Sequence, residues 1–168
     1  MKSKMLSVEK LASPTTEHAS QVALMQKIAT SVKDGENYHL LRLIFAIPNG
    51  GERDRAVAGR LKAEGVKSGV SDLFLPVPVW SIDGFKCGLF LELKRPDSIG
   101  KSAGKPSEQQ IAFLQEMHKR GYSVTVRWGW EDAWDALTQY IRGEPVAPNF
   151  DLEYVVDTSI WKIEQPGE

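Results

Sequence analysis

The sequence predicts an α/β protein in which helices alternate with strands, and three observations carry that expectation. Segments with helical apolar spacing alternate with short, dense apolar runs. Turn formers separate them at Asp34-Gly35-Glu36-Asn37, at Pro48-Asn49-Gly50-Gly51, at Gly65 and at Gly121. The chain has 168 residues, 42% hydrophobic and 26% charged, which suits one globular domain with a substantial core.

In chain order, residues 1–14 hold no placed element and are expected to be loose, and the main domain is expected over 15–142. A helix is predicted from about Thr16 to Val32, with Val22, Ala23, Met25, Ile28 and Ala29 as its apolar stripe. Leu40 to Ile47 reads as a buried strand, and about Arg53 to Glu64 as a helix capped by Gly65. Two strands follow, at Asp72-Leu73-Phe74-Leu75 and Cys87 to Arg95. Between them Pro76 and Pro78 remove backbone donors, so the hairpin is expected to fray toward Ser81-Ile82-Asp83-Gly84 near a sheet edge. The Gly-, Ser- and Lys-rich stretch Pro96 to Pro106 is expected to be mobile. Ser107 to Arg120 reads as a helix stopped by Gly121, Tyr122 to Trp128 as a strand, and Trp130 to Arg142 as a helix with Ala133, Trp134, Leu137 and Ile141 inward. The apolar residues of 143–168 are too dense for a disordered tail, so this extension is expected to pack on the domain or on a partner subunit.

The chemistry concentrates on one strand. Alternation puts Leu89, Leu91 and Leu93 on one face and Phe90, Glu92 and Lys94 on the other. Asp72 stands twenty positions before Glu92, and a hairpin joining the two runs brings the carboxylates together. Two acids and a lysine at a strand end suit phosphodiester cleavage, because a hard cation such as Mg²⁺ or Mn²⁺ takes carboxylate oxygens and neutralises the charge that develops on phosphate. Glu-x-Lys alone is more often an edge-strand ion pair; Asp72 and its flanking loops supply the context that shifts the balance.

That context extends over most of the chain. Ile47-Pro48-Asn49-Gly50-Gly51, Leu61 to Pro76 with Gly69-Val70-Ser71-Asp72 inside it, Gly88 to Lys94, and Ser107-Glu108-Gln109-Gln110 stand in that order. Together they resemble the VRR-NUC (virus-type replication-repair nuclease) domain of the PD-(D/E)XK superfamily, from about Glu17 to Ile141. The resemblance implies an α/β restriction-endonuclease-like core, a mixed central sheet flanked by helices, and a metal-dependent DNA endonuclease, structure-selective for branched, flap or junction DNA, like stand-alone phage or prophage members. It implies Asp72, Glu92 and the Leu93 carbonyl as ligands of Mg²⁺ or Mn²⁺, with Glu17 a weaker one, and Lys94 as the catalytic lysine. It also implies catalytic roles for Gln110 and for Glu17, which with Gln21 matches the family's E-x-x-x-Q spacing. A junction with symmetric arms favours a homodimer. The alternative is a DNA-structure-binding protein with little or no turnover, against which Asp72, Glu92 and Lys94 are all present.

Two of these residues have a second reading. Ser107-x-x-Gln110 is a capping box, so Gln110 is either a cap or a site residue. Glu17 near a helix start also favours the helix dipole without any catalytic duty.

Net charge is −1 and pI about 6.3, so attraction to DNA must be local. Candidate phosphate contacts are Asn49, Gly50, Arg53, Lys62 and Lys67 before Asp72, and Lys101 and Lys105 after Lys94. Other chemistries are excluded. Cys87 is the only cysteine, and His18, His39 and His118 are scattered, so neither a disulfide nor a zinc site is expected. Gly100-Lys101-Ser102-Ala103-Gly104-Lys105-Pro106 has its glycines one residue too close for a P-loop and proline where Ser or Thr is required, so no nucleotide cofactor is expected. No run approaches the roughly twenty apolar residues of a membrane span, and a cytoplasmic setting in a bacterial or phage-infected cell is the expectation.

Overall fold

A computed structural model describes residues 16–31, 37–48, 59–61, 63–97 and 101–153. Helix α1, Glu17–Thr30, starts where the Thr16 side chain accepts from the Ala19 N–H at 3.1 Å, satisfying a donor that the first turn leaves unpaired. It buries Ser20, Ala23, Leu24 and Ile28, so the inward line runs through i, i+4 and i+8. The expected stripe was rotated from this one: Val22 is 39% exposed, Ala29 faces outward, and Leu24 takes the central place.

The expected buried strand over Leu40 to Ile47 is instead a 3₁₀ helix, Tyr38–Leu43, followed by the two-residue strand β1, Phe45–Ala46. Asn37 opens the helix in the left-handed region with φ 69, a conformation asparagine tolerates. Leu41 and Ile44, three apart, turn inward while Leu43 and Phe45 stay exposed, which is the three-residue period and not the two-residue period of a strand.

Strand β2, Leu73–Leu75, pairs antiparallel with both β1 and the long central strand β5, Leu89–Lys94, and β5 pairs parallel with β6, Ser123–Trp128. The sheet order is β1-β2-β5-β6. Between β2 and β5 the chain does not fray: β3, Val79–Ser81, and β4, Gly84–Lys86, form a sheet of their own, paired Trp80 to Phe85. Helix α2, Glu108–Lys119, links β5 to β6, and helix α3, Gly129–Ile141, follows β6.

The alternation of β5 divides the core in two. Leu89, Leu91 and Leu93 join Leu73 and Leu75 beneath α1 and α3, through Leu24, Ile28, Ala133, Leu137 and Tyr140. Phe90 joins Val124, Val126 and Leu114 of α2 on the other face, with its ring stacked on Phe74 at 4.3 Å. With helices over both faces, every residue of β5 is buried, Glu92 and Lys94 included. Residues 147–149 cover the outer edge of β6: the Val126 N–H donates to the Pro148 carbonyl at 3.0 Å, and the Asn149 amide donates to the Val126 carbonyl at 3.1 Å. Phe150 and Leu152 pack on the second core. Among the described residues, no helix is long and apolar enough to cross a membrane.

Candidate active site

The pairing of β2 with β5 builds the site. Leu73 faces Leu91, so continuing the register by one residue sets Asp72 opposite Glu92 on the face that carries Phe74 and Phe90. One Asp72 oxygen accepts from the Leu93 N–H at 2.9 Å, fixing the carboxylate against the strand. An extended residue sends its N–H and C=O to the same strand edge, so the Leu93 carbonyl leaves β5 on the Asp72 side.

Glu92 is fully buried. Its Oε1 accepts from the Lys94 ammonium at 2.7 Å and from the Gln110 amide at 2.5 Å. Its Oε2 is buried too and receives no hydrogen bond among the described residues. Burial first, and then the neighbouring Asp72 carboxylate, push the Glu92 carboxyl up from 4.5 to about 8, against the opposing pull of Lys94. Burial acts to lower the Lys94 pKa, but Glu92 and then Glu17 outweigh it and raise it, so the lysine stays an ammonium. The raised pKa means that without a cation the Glu92 carboxyl keeps its proton beside Asp72, and Oε2 is the atom free to turn to a cation in the proton's place. Such a pair fits a hard divalent cation, which takes carboxylate oxygens and removes the repulsion.

Gln110 completes the capping box of its motif and also reaches Glu92. Its N–H donates to the Ser107 hydroxyl at 3.3 Å while its Oε1 accepts from the Ser107 N–H at 2.8 Å, which completes the capping box. Its Nε2, pointing the other way, reaches Glu92. One amide therefore ties the start of α2 to the acid of β5. Gly69 makes this approach possible: at φ 77, a Cβ there would stand 2.5 Å from the Gln109 Cβ, so the loop leading into Asp72 lies directly on the first turn of α2.

Glu17, at the start of α1, reaches the site through Lys94, its Oε1 lying 3.9 Å from the ammonium. It does not complete an acidic cluster: among the described residues, no three His, Cys, Asp or Glu side chains gather to hold a metal. Of the expected phosphate contacts, Lys67, Lys101 and Lys105 are exposed, and Asn49, Gly50, Arg53 and Lys62 lie outside the described residues.

The sequence reading missed Trp128 and Gly104. The Trp128 indole N–H donates to the Gly104 carbonyl at 2.7 Å, and the Gly104 N–H donates to the Arg95 carbonyl at 2.9 Å. The limb 101–106, expected to be mobile, is thereby anchored beside Lys94. A tryptophan ending a strand and a glycine in a polar loop carry no signal of this at the level of sequence.

No protein-family model matches the chain, and the comparison with curated proteins finds no match. Among solved structures, a chain described as a VRR_NUC domain protein aligns with a TM-score of 0.58 over 78% of this chain and 91% of its own, at 22% identity. At that identity the likeness concerns the fold, and the mixed sheet between layers of helix is the restriction-endonuclease-like arrangement of that neighbour.

Proposed function

We propose that the protein is a metal-dependent DNA endonuclease that hydrolyses phosphodiester bonds, with branched, flap or junction DNA as its substrate. The observation that carries the reading is the Glu92 Oε2 atom, buried and without a hydrogen-bond donor beside Asp72, on a strand whose next residue on the same face is Lys94. Asp72, Glu92 and the Leu93 carbonyl would hold Mg²⁺ or Mn²⁺. When bound, such an ion supplies charge neutralisation at the phosphate and makes water a stronger nucleophile.

The protein's own groups have separable duties. The Leu93 N–H orients Asp72, and Gln110 and Lys94 together occupy Glu92 Oε1, which leaves Oε2 for the cation. Lys94 keeps a positive charge at the reacting phosphate, where it orients the attacking water and offsets charge in the transition state. Glu17 adds a second carboxylate 3.9 Å from the ammonium. Lys67, Lys101 and Lys105, exposed on the loops around this end of the sheet, supply the local positive charge that the near-neutral chain lacks as a whole.

The deciding experiment is incubation of end-labelled duplex, flap and four-way-junction DNA with the protein in Mg²⁺, Mn²⁺ or EDTA. Cleavage of the branched forms in either metal, abolished by EDTA, is expected. Binding of the junction without any cut in either metal overturns the reading in favour of a structure-binding protein.

A further inference from the structure

Lys94 is walled in by a loop anchored through an indole at the margin of the second core. In the parallel ladder Lys94 pairs with Trp128, so both side chains stand on the same face of the sheet, one on each strand. The indole does more than pack. Its N–H reaches the Gly104 carbonyl at 2.7 Å, while the Gly104 N–H is taken by the Arg95 carbonyl at 2.9 Å. The Arg95 guanidinium in turn donates to the Ser102 carbonyl. Both polar groups of Gly104 are thus held, and its bare Cα faces the site: a Cβ there would lie 3.2 Å from Glu17 Oε1 and from the Arg95 nitrogen, and 3.5 Å from the Lys94 Cβ. Glycine lets the limb lie against Lys94 and Glu17 together without displacing either, whereas a methyl here needs its neighbours to give by a few tenths of an ångström.

We propose that Trp128 and Gly104 form a clamp that holds the limb 101–106 against Lys94 and Glu17, making both positioning residues for the lysine. Trp128 touches no reacting atom in this scheme; it acts through Gly104. The kinetic half of this inference rests on the nuclease reading, and the structural half does not.

The test uses the full chain as wild type, Trp128→Phe and Gly104→Ala. Phenylalanine keeps an aromatic ring but has no N–H to donate; alanine leaves the core untouched and adds a methyl where the limb meets Glu17. The first measurement needs neither metal nor DNA: acetylation of Lys94 by an N-hydroxysuccinimide ester, read by mass spectrometry against the exposed Lys119. Both variants should speed Lys94 labelling by about fivefold relative to Lys119, because a released limb opens locally without global unfolding. The second measurement is cutting of the preferred branched DNA in Mn²⁺. Both variants should lower kcat by about tenfold with KM within about twofold of wild type, as expected when a catalytic group is misplaced and not removed. Unchanged Lys94 labelling in both variants overturns the clamp. Faster labelling with unchanged kcat overturns its positioning role. If the wild type cuts none of the DNAs, the nuclease reading and the kinetic role fall together, and labelling alone decides the clamp. Gly104→Ala carries the test if Trp128→Phe does not fold.

Discussion

The two ends of the β2–β5 pair invert the usual rule of burial. At the end marked by Asp72, Glu92 and Lys94, an ionisable carboxyl and an ammonium are shut inside, 0% and 6% exposed. At the other end, where β3 and β4 emerge, apolar groups stand in water: Trp80 is 77% exposed and Ile82 84%. Exposed apolar side chains are ordinary on a protein surface, whereas a buried charge is costly unless something answers it. The contrast teaches where the fold accepts a cost. The hairpin gains little from its Trp80–Phe85 ring contact at 5.2 Å, and it loses little by staying exposed. The acidic end answers its cost only in part: Glu92 Oε1 takes Lys94 and Gln110, while Oε2 has no hydrogen-bond donor among the described residues.

The largest expected effect separates the ends outright. Asp72→Ala or Glu92→Gln should slow metal-dependent cleavage by about a thousandfold or more, equivalent to about 4 kcal/mol of lost transition-state stabilisation, while circular dichroism keeps the folded signature. Retention of wild-type cleavage in either variant removes the contrast's functional meaning.

Lys94→Ala comes next, with a loss of about a hundredfold in kcat, the scale of one positioned acid–base or charged group. Metal affinity measured by calorimetry should persist. A rate restored fully by excess metal would show that the lysine only shapes the ligand set.

Acidity sharpens the comparison without any substrate. Because the folded-state pKa of Glu92 is raised from 4.5 to about 8, the metal-free folded protein holds a proton that the unfolded chain releases. That contribution is fully present below about pH 4.5 and is lost as the pH rises toward 8. Melting temperature in EDTA should therefore fall over this window in wild type and fall less in Glu92→Gln, whose amide does not titrate. Parallel profiles for the two proteins would mean that Glu92 ionises normally and that its burial is not felt.

Gln110→Glu isolates the double duty of one side chain. The new residue keeps the capping box, whose loss costs about 0.5–2 kcal/mol, but sets a carboxylate against Glu92 where an amide had donated. Cleavage should fall about tenfold, each tenfold being worth about 1.4 kcal/mol, with stability nearly unchanged. Unimpaired cutting would leave Gln110 as a cap alone. The smallest effect belongs to the hairpin: Trp80→Ser should change stability by no more than about 0.5 kcal/mol in a urea titration and leave cleavage as it was.

Much of the fold is legible locally. The capping box at Ser107, the stop at Gly121 with φ 85, and the inward Ala133, Leu137 and Ile141 of α3 all follow from spacing and turn chemistry. The segment from Tyr38 to Ala46 was not legible, because a short apolar run has no periodicity long enough to tell a strand from a tight helix, and Leu41 and Ile44 reveal the period only once they are seen to be buried. The 3.6-residue stripe of α1 was legible as a helix but not in its rotation, since only packing against the sheet chooses Leu24 over Val22.

By itself the sequence determined which residue types could do chemistry and that Glu92 and Lys94 share a face of one strand, since alternation is a property of the backbone within a few residues. Tertiary structure alone decided that Gln110, eighteen residues on, both caps α2 and holds Glu92, that Trp128 closes on Gly104 across twenty-four residues, and that Pro148 and Asn149 cover the edge of β6. Each of these joins groups far apart in the chain, where the entropy of closing the loop is met only by the whole core folding at once. No local pattern encodes such a contact, because neither partner's own neighbours differ from those of a cap, a core tryptophan or a surface loop.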